Sequence, residues 1–145
     1  MKYALAALLI APPLITPGPA AAETFEVRML NRGEAGPMVY EPDFLRIAPG
    51  DSVKFIAATT GHNAASIEGM APEGAEPFKG QINQEIEIAP AVPGLYGVKC
   101  SPHYAMGMVM LIAVGDADPA GLVVPETVPA RAKQRFGEIL ARSSK

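Results

Sequence analysis

Between Thr24 and Val114 no apolar pattern runs far before a proline or glycine turn ends it. A helix needs ten or more uninterrupted residues, whereas a strand needs only four to eight, so this punctuation selects short strands. Residues 24–30 (TFEVRML) alternate, with Phe25, Val27 and Met29 on one face. Residues 44–47 form a second short run, closed by the turn cluster Ala48-Pro49-Gly50-Asp51. Residues 52–57 (SVKFIA) resume with β-formers. Residues 84–88 (QEIEI) alternate strictly, with Ile86 and Ile88 inward and Glu85 and Glu87 outward. Pro93-Gly94 marks another turn before residues 95–100 (LYGVKC). Residues 107–114 (GMVMLIAV) are almost wholly apolar, the pattern of a central strand buried on both faces. Several short strands with turns between them predict an all-β sandwich. Residues 61–78 lack a sustained period and read as a long loop holding at most one short strand or helical turn.

The period changes near the C-terminus. Pro129 suits a helix start. Ala132, Phe136, Ile139 and Leu140 then fall at i, i+4, i+7 and i+8 on one helical face, with Lys133, Arg135 and Arg142 read as lying off the stripe. So small a stripe is expected to pack back on the sandwich rather than bind a membrane. A shorter helical turn is expected at residues 119–123. The sandwich thus carries a short C-terminal helical extension, about residues 118–143.

The N-terminus has the order of a secretory signal. Lys2 precedes an apolar run at residues 4–11, prolines interrupt it, and Ala20, Ala21 and Ala22 offer a cleavage site. The run is too short and too broken by Pro12, Pro13 and Pro17 to span a bilayer. The expected division is a signal peptide over residues 1–22 and one domain over 23–145, in the periplasm. Cleavage would remove one positive charge from a chain of 12 basic and 15 acidic residues, moving the net charge from −3 to −4. That modest acidity argues against nucleic acid as a partner. No later segment is apolar for long enough to cross a membrane, so no insertion is expected after cleavage.

Export makes the cysteine count informative, because Cys100 is the only cysteine and has no internal disulfide partner. A free thiol in an oxidising compartment needs burial, a partner chain or a metal ion to protect it. Cys100 and one of the chain's two histidines share the stretch CSPHYAMGM, residues 100–108; the other histidine is His62, in TTGHNAAS. Both sites follow strands, and sandwich loops cluster at the two ends, so two such loops can meet. One thiolate, two imidazoles and a weak thioether form a set that suits a copper ion in both oxidation states. Thiolate and thioether are soft and favour Cu(I); imidazole accepts Cu(II). Taken singly, each residue has a plainer reading: a buried apolar cysteine, a solvated loop histidine, core methionines. Two methionines, Met106 and Met108, compete for the fourth place.

The spacing Cys100-x2-His103-x4-Met108, with His62 about 40 residues upstream, resembles that of the cupredoxins, the type 1 blue copper proteins. The stretches GHNA around His62 and YGVKCSPHYAMGMVMLIAVGD around Cys100 carry the likeness, with the helical C-terminal extension that plastocyanins usually lack. The resemblance implies a Greek-key sandwich that binds one copper cycling between Cu(I) and Cu(II), with His62, Cys100, His103 and Met108 as ligands. It selects Met108 over Met106, which then joins an apolar rim. It implies that Asn63 ties the two ligand loops together and offers its backbone N–H to the cysteine sulfur. Tyr96 and Tyr104 are packing residues in this reading.

The function implied is periplasmic electron transfer, not catalysis, since four protein ligands leave no open position for substrate. A tetrahedral zinc site rarely takes methionine, and the sequence shows no recognisable histidine-orienting group for a thiol hydrolase. The electron would leave through His103 and an apolar patch of Pro102, Met106, Pro37 and Met38. Lys79, Lys99 and Arg32 would ring it, more weakly than usual because Thr60 stands where a lysine is expected. Implied partners are nitrite reductases and c-type cytochromes in transient complexes, with the carrier itself a monomer. A periplasmic copper-binding or delivery protein is the alternative; so is a sandwich that binds no metal.

Overall fold

The computed structural model describes residues 21–143. The expected leader, residues 1–22, lies outside them except for Ala21 and Ala22. Among the described residues eight strands form two four-stranded sheets. The first contains β1 (Thr24–Gly33), β2 (Gly36–Glu41), β4 (Ser52–Ile56) and β6 (Ile86–Ile88), in the order β2-β1-β4-β6. The second contains β3 (Phe44–Ile47), β5 (Ala65–Ser66), β7 (Gly94–Lys99) and β8 (Val109–Val114), in the order β3-β8-β7-β5. The pairs β1–β4 and β3–β8 are parallel; the others are antiparallel.

Period-2 alternation sets the core. Val27 and Met29 of β1, Val53 and Phe55 of β4, Tyr96 and Val98 of β7, and Met110, Ile112 and Val114 of β8 meet between the sheets. Parallel pairing sets Val27 beside Phe55. The ring of Phe55 packs edge-on against Tyr40 and stacks with Phe78. Glu85 and Glu87 are exposed while Ile86 and Ile88 are half-buried, as the alternation requires.

All six residues of β8 are buried. Its second face, Val109 and Leu111, packs against a separate core cluster formed with Ala132, Phe136 and Ile139 of the C-terminal helix α1 (Ala130–Ser143). The helix covers what would otherwise be the outer face of the sheet, which is why that strand reads as a continuous apolar run. Pro129 precedes α1, and its carbonyl accepts the first helical bond, from the Lys133 N–H. A 3₁₀ turn stands at Pro119–Gly121. No helix among the described residues is long and apolar enough to cross a membrane.

Two features depart from the sequence reading. β2 was not expected, because Gly36-Pro37 reads as a turn and interrupts its alternation; it forms because a tight turn folds it back on β1, with Met38 at φ 50°. Arg135 was expected off the apolar stripe, but it is 1 % exposed. Its Nη1 donates to the Ala35 carbonyl at 3.1 Å. Its Nε lies 3.5 Å from Glu138 Oε2, an ion-pair distance too poorly directed to count as a hydrogen bond.

Candidate metal centre

The sandwich brings the two histidine loops to one end. His62 lies in the loop between β4 and β5, and Cys100 immediately follows β7. The chain then makes a 3₁₀ turn, Ser101–Met106, which carries His103, and Met108 leads into β8. Pro102 stands in the first turn, where its missing N–H costs nothing. The loop is closed at its base, where the Cys100 N–H donates to the Met108 carbonyl at 3.0 Å and the Met108 N–H to the His103 carbonyl at 3.2 Å. Gly107 has φ +87° and sits against α1; a Cβ there would lie 2.9 Å from Arg131 Cγ and 3.0 Å from its backbone oxygen. Only glycine permits both the left-handed turn and that approach.

His62, Cys100 and His103 converge, with ligand atoms all within 4.8 Å of one another. His62 Nδ1 and His103 Nδ1 are 3.1 Å apart, and the Cys100 sulfur is 3.7 Å from the first and 3.5 Å from the second. These separations can be tested against a shared ion. First-row metal bonds of about 2.0–2.1 Å to nitrogen and 2.3 Å to sulfur, at trigonal to tetrahedral angles, put N–N at about 3.3–3.6 Å and N–S at about 3.5–3.8 Å. The pocket therefore accepts such an ion with shifts of a few tenths of an ångström. Soft sulfur with two imidazoles is the donor chemistry of copper. Met108 is fully buried in the same core cluster as Cys100, whereas Met106 is 49 % exposed.

Burial shapes the protonation states. It lowers the pKa of His62 from its ordinary 6.5, and the neighbouring His103 lowers it further, so His62 keeps a lone pair for a metal at neutral pH. Burial raises the Cys100 thiol above 9.0; backbone N–H groups of Asn63 and His103 pull the other way by favouring the thiolate. A bound cation would overcome the burial effect and take the sulfur as thiolate.

The groups behind these side chains fix their orientation. Asn63 Oδ1 accepts from the Ser101 N–H at 2.7 Å, and Nδ2 donates to the Ser101 hydroxyl and the Gly80 carbonyl. Asn63 thus ties the His62 loop to the Cys100 loop, as expected. Three supports had no sequence signal. His62 Nε2 meets Asn31 Oδ1 at 2.8 Å, which directs Nδ1 toward the sulfur. Buried Tyr40 donates its hydroxyl to the Asn63 carbonyl at 2.7 Å. Asn83 Oδ1 accepts from the Gly61 N–H. Tyr96 and Tyr104 do pack: the first is buried and bonded to the Val92 carbonyl, the second lies against the helix-side cluster.

His103 is half-buried between exposed Pro102 and Met106, so its ring lies near the surface. Pro37 is exposed and Met38 half-buried against the sandwich core. Lys79 and Lys99 border one shallow groove with Ser66, Phe78, Ser101 and Tyr104, and Lys99 Nζ sits 5.0 Å from the centre of the Tyr104 ring. Arg32 and Thr60 are exposed.

Residues 27–115 match the family of copper binding proteins described as plastocyanin/azurin. Over 141 residues the chain is 48 % identical to the pseudoazurin of Paracoccus pantotrophus, covering 96 % of this chain and 94 % of that one. A Sinorhizobium pseudoazurin structure superposes with a TM-score of 0.79 at 40 % identity, covering 85 % of this chain and 98 % of the other. The pseudoazurin of Hyphomicrobium denitrificans superposes at 0.75 with 37 % identity, covering 82 % and 97 %. With its cupredoxin sandwich, its C-terminal helix and its Cys–His–His cluster, the chain belongs to the plastocyanin/azurin family of copper-binding proteins, among the pseudoazurins.

Proposed function

We propose that His62, Cys100, His103 and Met108 hold the single type 1 copper, and that the protein shuttles one electron at a time between a periplasmic donor and a terminal reductase such as a nitrite reductase. Pseudoazurins are copper electron-transfer proteins rather than enzymes. The observation that carries the ligand reading is the convergence of two Nδ1 atoms and one sulfur at 3.1, 3.5 and 3.7 Å. Bound there, copper would accept and release one electron with little change of ligand geometry. The chain's part is to hold the donors still. The closed base of the 100–108 loop and the Asn63 tie resist movement of the sulfur and the imidazoles between oxidation states. Burial of Cys100 and Met108 keeps water from the pocket, while His103 gives the electron a short way out between Pro102 and Met106.

The signal-like order of residues 1–22 supports a periplasmic domain beginning at residue 23. A soluble shuttle of this size works as a monomer in short-lived complexes, since it must leave one partner to reach the next. Anaerobic stopped-flow mixing of the reduced protein with a copper nitrite reductase, and of the oxidised protein with a reduced c-type cytochrome, tests the shuttle. Second-order electron exchange with both is expected. A copper-loaded protein that exchanged electrons with neither, yet passed its metal to an apo-protein, would overturn it in favour of copper delivery.

A further inference from the structure

The first histidine sits on a loop that contains no regular secondary structure, yet its backbone is gripped on both sides by one distant residue. Asn83 Oδ1 accepts from the Gly61 N–H at 2.6 Å, and the Asn83 N–H donates to the His62 carbonyl at 2.8 Å. The two bonds bracket the Gly61–His62 segment, one on the peptide before Gly61 and one on the peptide after His62. Both partners need uncommon backbone: Gly61 has φ +95° and Asn83 has φ +66°. Asparagine enters the left-handed region far more readily than most residues, so it can present its own N–H and its side-chain oxygen to the same strand of loop.

The turn that carries Asn83 is itself braced. The Gln81 N–H donates to Gln84 Oε1 at 2.7 Å, and the Gln84 N–H donates to the Gln81 carbonyl at 3.1 Å. β6 follows and anchors the turn to the first sheet through its pairing with β4. A Cβ on Gly61 would lie 3.9 Å from His103 Cε1, so the gripped peptide also borders the second imidazole. Asn31 holds the His62 ring and Asn63 holds the Cys100 loop, but neither bonds to the Gly61 N–H or the His62 carbonyl.

We propose that Asn83 is a positioning residue for the metal centre: its left-handed backbone and side-chain oxygen form a two-point clasp that sets the backbone of the His62 loop. Both bonds come from a residue outside the proposed ligand set, so the clasp restrains the His62 backbone in addition to any bond the imidazole makes. Asn83 itself touches no proposed ligand atom.

The test uses the full mature chain and two variants. Asn83→Gly keeps access to the left-handed backbone and removes the side-chain acceptor, while loosening the turn; Asn83→Asp keeps an acceptor at the same position. In the metal-free protein, hydrogen exchange at the Gly61 amide is expected to accelerate about three- to tenfold in Asn83→Gly, in keeping with the loss of one hydrogen bond. Amides of β7 and β8 should be unchanged, and Asn83→Asp should restore protection. This arm is independent of copper. The metal-binding arm rests on the ligand reading above: Cu(II) release from Asn83→Gly into excess chelator should be faster by a similar factor, with an altered visible band pattern, and Asn83→Asp should move both back toward the parent. Unchanged Gly61 exchange in Asn83→Gly overturns the clasp. Faster exchange everywhere shows a general stabilising role and overturns it too. Faster Gly61 exchange with unchanged copper release and spectrum removes its role at the metal centre.

Discussion

Met106 and Met108 differ by two positions and by everything in their surroundings. Met108 is buried beside Cys100 and Met106 is half in solvent. An axial thioether tunes the potential, and a harder oxygen donor in its place favours Cu(II). Met108→Gln should therefore lower the reduction potential and alter the visible spectrum, while Met106→Gln leaves the spectrum as it was. Cyclic voltammetry of both variants checks this; a potential that followed Met106 instead would reverse the assignment. His62, Cys100 and His103 stood out as candidates because cysteine and histidine are scarce in this chain and chemically distinct; Met108, one of seven methionines, was chosen over Met106 only by the resemblance in spacing. Their supports did not stand out. Asn31, Tyr40 and Asn83 act through contacts 31, 23 and 22 residues away in sequence, several of them to backbone atoms that carry no residue signature.

Among the elements, β8 and α1 were readable from period alone, since one apolar run and one apolar stripe face each other. β2 was hidden by Gly36-Pro37, which resembles a turn until β1 is there to pair with it. Arg135 was misread for its charge. It falls at i+3 from Ala132 and i+4 before Ile139, on the buried side of the helix. Its Nε and Nη2 are buried without a hydrogen-bond partner among the described residues. A buried cation so incompletely satisfied adds little to stability, because desolvation offsets its contacts. Arg135→Met should leave stability unchanged or raise it by about 1 kcal/mol. Arg135→Ala, which leaves a cavity, should cost about 2 kcal/mol. Urea unfolding of both distinguishes them; a large loss in Arg135→Met would show that the bond to Ala35 outweighs the desolvation.

At the scale of the molecule, a net charge of −3 conceals a local arrangement. Lys79 and Lys99 stand together on the groove beside the Cys100 loop, and Lys99 is steadied over Tyr104. Oriented charge near an electron exit raises encounter rates with partners of opposite sign, and salt weakens the effect. Lys79→Glu with Lys99→Glu should slow electron exchange with an acidic redox partner about tenfold at low salt and flatten its salt dependence. Equal rates and slopes for variant and parent, measured by stopped flow, would place the docking charge elsewhere.

The proposed centre depends on a bond between the Cys100 thiolate and copper. The visible absorption spectrum of the chain from residue 23 onward after addition of Cu(II), compared with that of Cys100→Ser, reads that bond. The predicted result is an intense charge-transfer band toward the red end of the spectrum, absent from Cys100→Ser. A colourless Cu(II) complex, or a band that survived the loss of the thiol, would contradict it.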